Sequence, residues 1–225
     1  MKNWNVRGNR ATRRILGIAC ATLAAAVTVS APQLARADRV NPPRVPADIE
    51  VEAGNTAFLQ GHGVGTQNYI CLPCPNPTTP AANCPDASGF AWLLFTPEAT
   101  LFADNDKPVT THFFSPNPDE NGTIRAAWQH SRDLSTVWGG RAIPSSDPYF
   151  VAPNSIPWLK LPAAGRLEGP KGGDTLTVTT FIQRVNTLGG VAPSEGCSQL
   201  ADVGAKAFIP YEADYFFYKT DKGHN

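Results

Sequence analysis

Beyond its first 37 residues, this 225-residue sequence has no ten-residue stretch in which apolar residues recur at the 3.6-residue spacing of an amphipathic helix. That absence excludes a helical bundle, and the lack of strand–helix alternation excludes a parallel α/β domain and a thioredoxin-like one. There is no internal repeat and no Gly-x-Ser-x-Gly elbow. No two of His62, His112 and His130 stand at i, i+2 or i, i+4. The sequence therefore calls for no cofactor and no metal. It also has no cluster of Lys and Arg outside its first 37 residues, which argues against nucleic acid or an anionic membrane surface as partner.

The basic residues are concentrated at the start. Lys2, Arg7, Arg10, Arg13 and Arg14 precede an alanine-rich apolar run, Ile15 to Ala31, and Ala35-Arg36-Ala37 has the small-x-small form of a cleavage site. The run is too short and too weakly apolar to span a membrane. Residues 1–37 are thus read as a signal peptide, of the general secretory type or, by Thr12-Arg13-Arg14-Ile15-Leu16, a twin-arginine one. Export to the periplasm or the extracellular space follows, with no membrane span left after cleavage. Cleavage removes six of 19 basic residues and none of the 19 acidic ones, so 13 against 19 leaves a net charge of −6. An extended lead-in, residues 38–48, then precedes one domain, residues 49–225. The sequence assigns it no oligomeric state.

Four cysteines remain: Cys71, Cys74, Cys84 and Cys197. An even number in an exported chain points to two disulfides with three possible pairings, ahead of zinc or a redox Cys-x-x-Cys. Leu72 to Ser88 holds five prolines, which exclude a helix or a central strand there.

Period-two and β-branched patterns predict strands over Glu50–Gln60, Thr66–Cys71, Phe90–Thr96, Thr100–Ala103, Val109–Phe114, Thr123–Trp128, Thr136–Trp138, Ile156–Leu161, Thr175–Ile182 and Ala205–Lys219. Arg141–Asn154 reads as loop. Short strands separated by Pro- and Gly-rich loops imply an all-β fold, a single-domain antiparallel β-sandwich or barrel. Leu176, Val178 and Ile182 share a face with Arg184, so that guanidinium needs a carboxylate (Asp133, Glu212 or Asp214) or carbonyls.

Three segments together resemble one family, the secreted bacterial and fungal proteins grouped as domain of unknown function 3455. They are Gly63-Val64-Gly65-Thr66-Gln67-Asn68-Tyr69-Ile70-Cys71, Gln183-Arg184-Val185-Asn186-Thr187-Leu188-Gly189-Gly190-Val191-Ala192-Pro193, and Tyr211-Glu212-Ala213-Asp214-Tyr215-Phe216-Phe217-Tyr218. The resemblance implies an exported single-domain protein and brings no established activity. It also implies that Cys71 and Cys197 are the family's usual two cysteines. Cys71 is then expected to pair with Cys197, and Cys74 with Cys84.

Candidate chemistry is sparse. Gly61-x-Gly63-x-Gly65 lacks the strand-to-helix context of a phosphate loop and suits close approach of a neighbour to a strand. Glu212 and Asp214 share a face that reads as solvated rather than as a catalytic pair. Trp92, Trp128, Trp138 and Trp158 suit either a core or a stacking platform for sugars, with Trp138 expected to be exposed. Gln67, His112, Arg184 and Asn186 are the candidate ligand-binding residues, and no catalytic residue is assigned. The leading reading is a non-catalytic binding or cell-envelope module that touches polysaccharide or a small polar ligand. The alternatives are a secreted enzyme with a His112/Arg184 site, or a β-barrel that holds a small ligand.

Overall fold

The structure, a computed structural model, describes residues 40–75, 84 and 89–221. The predicted signal peptide and most of the proline-rich Leu72–Ser88 loop lie outside the described residues. Nine strands are formed: β1 (Asn55–Pro73), β2 (Phe90–Phe102), β3 (Pro108–Asn117), β4 (Thr123–His130), β5 (Thr136–Gly139), β6 (Ile143–Ser145), β7 (Trp158–Leu167), β8 (Phe181–Gly189) and β9 (Lys206–Thr220). All pair antiparallel, in the order β5-β4-β3-β2-β1-β9-β8-β7-β6. β5 also pairs with β7, so eight strands close a barrel and β6 continues the line of β5 along the same partner.

Period two decides which residues fill it. On β9, Tyr211, Ala213, Tyr215 and Phe217 point inward; on β8, Ile182 and Arg184 do so. Phe216, Tyr218, Val185 and Trp158 lie on the outside, where Ile49, just past the lead-in, Val151 and Phe150 cover them as a second core. Gln183 is bonded into that layer, donating from Nε2 to the Ile49 carbonyl at 2.8 Å and accepting from Tyr218 at 2.7 Å.

Several predicted strands merge. Glu50–Gln60 and Thr66–Cys71 are one strand, β1, because its glycines make room rather than break it. A Cβ on Gly63 would sit 2.9 Å from the Tyr215 ring, and one on Gly61 2.9 Å from Leu101. Phe90–Thr96 and Thr100–Ala103 likewise form β2. Its Pro97 is tolerated because the β2–β3 ladder stops at Ala99–His112, and Thr96 Oγ1 accepts the Phe114 amide instead. β6 is a strand that the sequence reads as loop.

The strand predicted over Thr175–Ile182 starts only at Phe181. Residues 175–178 form a turn instead, with Thr177 N–H bonded to the Asp174 carbonyl. Asp133 captures the Thr175 amide and hydroxyl, and Ser135 Oγ accepts the Leu176 amide at 3.0 Å. These bonds outweigh the β propensity of the threonines. They press Leu176 into the barrel as a fully buried plug, while Val178, expected on the same face, is 49% exposed. Burial pushes the Asp133 pKa up, but the hydrogen bonds from Thr175 and Ser135 prevail and hold it below the carboxylate range.

Both disulfides are formed, Cys71–Cys197 with Cα atoms 5.5 Å apart and Cys74–Cys84 with 5.7 Å. Tyr69 adds a bond beside the first, donating to the Gly190 carbonyl at 2.7 Å. Among the described residues no helix is long and apolar enough to cross a membrane.

Candidate functional site

Leu101, Val137, Leu176, Ile182 and Phe217 fill one part of the barrel interior. The remainder is a cavity of about 280 Å³ lined from all eight barrel strands. Its floor is buried and polar: Gln67 of β1, His112 of β3, Trp128 of β4, Arg184 of β8 and Tyr215 of β9. Its rim is apolar and solvent-reachable, with Leu94 40% and Ile124 58% exposed. The rim lies where two seams are interrupted. One is the β2–β3 ladder beyond Pro97, and the other lies at Ala142 between β5 and β6, just past the bond from Gly140 N–H to the Pro162 carbonyl at 2.7 Å.

Arg184 defines the electrostatics. Only 8% exposed, it donates from Nη2 to the Pro157 carbonyl at 2.8 Å, and its Nε–H has no partner among the described residues. None of the three expected carboxylates reaches it. Asp133 is taken up by Thr175, Ser135 and His130, while Glu212 and Asp214 lie outside the barrel against His62. Gln67 Nε2 and Trp128 Nε1 are likewise buried without a partner. Three unpaired N–H donors therefore sit on residues that line one cavity, in a position where each costs about 1–3 kcal/mol.

The other floor groups are neutral. His112 stacks flat on Trp128, with centroids 4.3 Å apart and planes 4° from parallel. Its Nδ1 lies 3.0 Å from the Ala127 carbonyl, which can only accept, so the proton is on Nδ1 and Nε2 carries a lone pair. Burial pushes the His112 pKa down to about 3; the Ala127 bond opposes this and the Arg184 charge adds to it. Tyr211 and Tyr215 share a hydroxyl–hydroxyl bond of 3.0 Å, which leaves one of their two protons for another acceptor. Burial raises both phenols, and Arg184 partly offsets the rise.

Of the four residues singled out from sequence, the fold brings Gln67, His112 and Arg184 to this cavity and leaves Asn186 elsewhere. A bulge between Val185 and Leu188, with Asn186 at φ 52°, turns its side chain outward, where it donates to Asp214 at 2.8 Å. Trp138, expected to be exposed, is 5% exposed and donates to Ser115 Oγ at 2.8 Å. Trp128 and Trp158 are buried as well, so these tryptophans form no open platform. Tyr215 is a floor residue that sequence reasoning did not select, and Trp128 was weighed only as core or sugar platform; only the register of β4 and β9 turns them toward Arg184. Among the described residues no group of three or more His, Cys, Asp or Glu could hold a metal ion.

A family described as "Protein of unknown function (DUF3455)" matches residues 52–219. No curated protein and no solved structure matches the chain. The match takes in all nine strands apart from the last residue of β9, and with them every side chain of the cavity, so the chain belongs to the DUF3455 family.

Proposed function

We propose that this protein is an exported carrier or sensor that holds a small polar ligand inside its barrel, without chemical turnover. The observation that carries this reading is the cavity itself, with the Arg184 guanidinium, unmatched by any carboxylate, in its buried lining and exposed apolar residues at its rim. Eight-stranded barrels of this size suit one small molecule. The two disulfides support an oxidising compartment. A role for His112 as general base fits less well, since a group whose conjugate acid has a pKa of about 3 is a weak base at neutral pH.

Thermal-shift screening against sugars and small acids tests the reading, run beside an Ala126→Phe variant that fills the cavity. A ligand at about 100 times its Kd adds about 2.7 kcal/mol of stability. The expected result is a compound that raises the melting temperature of the wild type and leaves the filled variant unmoved. Shifts that persist unchanged in the filled variant would place binding elsewhere and overturn the reading.

A further inference from the structure

We propose that the ligand is a small amphiphilic monoanion, a carboxylate whose head meets Arg184 on the cavity floor and whose compact apolar body lies toward the rim. This rests on the reading of the barrel as a ligand-holding cavity. Charge balance is the first argument. Only two charged side chains line the cavity, Arg125 and Arg184, and no acid does. Arg125 is already matched, since its Nε and Nη2 both reach the Glu120 carboxylate at 2.8 Å. One guanidinium is left uncompensated in a buried site, and it calls for one negative charge.

Hydrogen-bonding capacity is the second argument. Arg184 brings only donors to the lining and the Tyr211–Tyr215 pair has one hydroxyl proton beyond its shared bond, whereas the unpaired N–H groups of Gln67 and Trp128 lie beneath the cavity surface. Against these, the acceptors are few, chiefly His112 Nε2 and Gln67 Oε1. A carboxylate accepts at about four lone-pair positions and donates none, which fits a donor surplus. A sugar brings a donor with each hydroxyl and would leave most of them unmatched.

Size and wall chemistry set the rest. The cavity of about 280 Å³ has room for one small molecule with a polar head and a compact apolar body. Leu94, Pro97, Phe114, Ile124, Leu159 and Leu161 supply an apolar wall for that body. Hexanoate and benzoate have this form.

Calorimetric titration of the purified protein at neutral pH, with hexanoate, benzoate, hexanamide, benzamide and glucose, tests the proposal. The acids should bind about 10- to 100-fold more tightly than their amides, the size of a charge-assisted bond. Arg184→Met should erase that preference, and Gln67→Leu, which keeps the charge, should preserve the rank of the acids over the amides. Equal binding of acids and amides, or binding of glucose alone, would overturn the anion assignment; if Ala126→Phe abolishes that binding, the cavity reading stands. If acids, amides and glucose all fail to bind, the cavity reading itself falls, and this proposal with it.

Discussion

Replacing Arg184 with methionine separates a cation kept for a ligand from one kept for structure. A buried guanidinium paired with a carboxylate would leave that carboxylate stranded when removed, a loss of about 3–5 kcal/mol. Here the described residues offer no carboxylate, and the guanidinium is held by the Pro157 carbonyl and by the Tyr215 hydroxyl beside it. Losing that donor costs about 1–2 kcal/mol. Against it stands relief from desolvating the charge and its unpaired Nε–H, worth about 2–4 kcal/mol even with water in the cavity. Methionine has a comparable length and fills the same space beside Leu159 and Tyr215. The ligand-free variant should therefore be between unchanged and about 3 kcal/mol more stable than wild type. At roughly 2–4 °C per kcal/mol for a chain of this size, the melting temperature should rise by up to about 12 °C. Urea unfolding followed by fluorescence and far-UV circular dichroism measures this, with an unchanged m value as the check that the unfolded state is the same. A loss beyond about 3 kcal/mol would refute the reasoning, because it would require an anionic partner for Arg184 within the protein.

Three further outcomes follow from the same structure. The pH dependence should carry the mark of His112: its folded pKa of about 3 lies below its ordinary 6.5, so above 6.5 it contributes nothing to the slope. As pH falls below 6.5 the unfolded chain takes up a proton that the folded one refuses, and stability drops by about 1.4 kcal/mol per pH unit. His112→Gln should flatten the slope between pH 6.5 and 4.5 in denaturant titrations, and an unaltered slope would show that the imidazole is not buried neutral. Asp133 acts at lower pH with the opposite origin, its depressed pKa giving stability above about 4 that fades as acid protonates it. Asp133→Ala should release the Thr175–Thr179 turn and cost about 2–4 kcal/mol, with faster amide exchange at Leu176 as the local readout; a full retention of Leu176 protection would contradict the plug. Removing Cys71–Cys197, which spans 126 residues, should cost about 5 kcal/mol by chain entropy, against about 3 kcal/mol for Cys74–Cys84, which spans 10. Paired Cys→Ser variants compared by thermal unfolding decide this, and a reversed ranking would mean that loop length is not what sets the stabilisation.

How much of this was legible in the sequence depends on the range of the interaction. Strand identity is local. Alternation along Tyr211, Ala213, Tyr215 and Phe217 marks an inward face whatever lies opposite, and β-branched runs bounded by proline and glycine mark an all-β chain. Even the placing of Arg184 beside Ile182 follows from a period of two. The sequence by itself thus determined the class of fold, the inward face of β8 and β9, and the residues that compete for a polar centre. It could not determine where strands begin when a distant group bids for the backbone. Asp133 and Ser135, about 40 residues away, turn the threonine-rich segment after Asp174 out of the sheet, and no propensity in that segment records their presence. Nor could it fix the partners of charges. The bulge at Asn186 sends that side chain and Asp214 outward, and Arg184 is left inside without a carboxylate. Barrel closure through β5 and β7 then gathers Gln67, His112, Trp128, Arg184 and Tyr215 from five strands around one cavity. That convergence is decided by register and shear, which are sums over many pairings and are written in no single stretch of the chain.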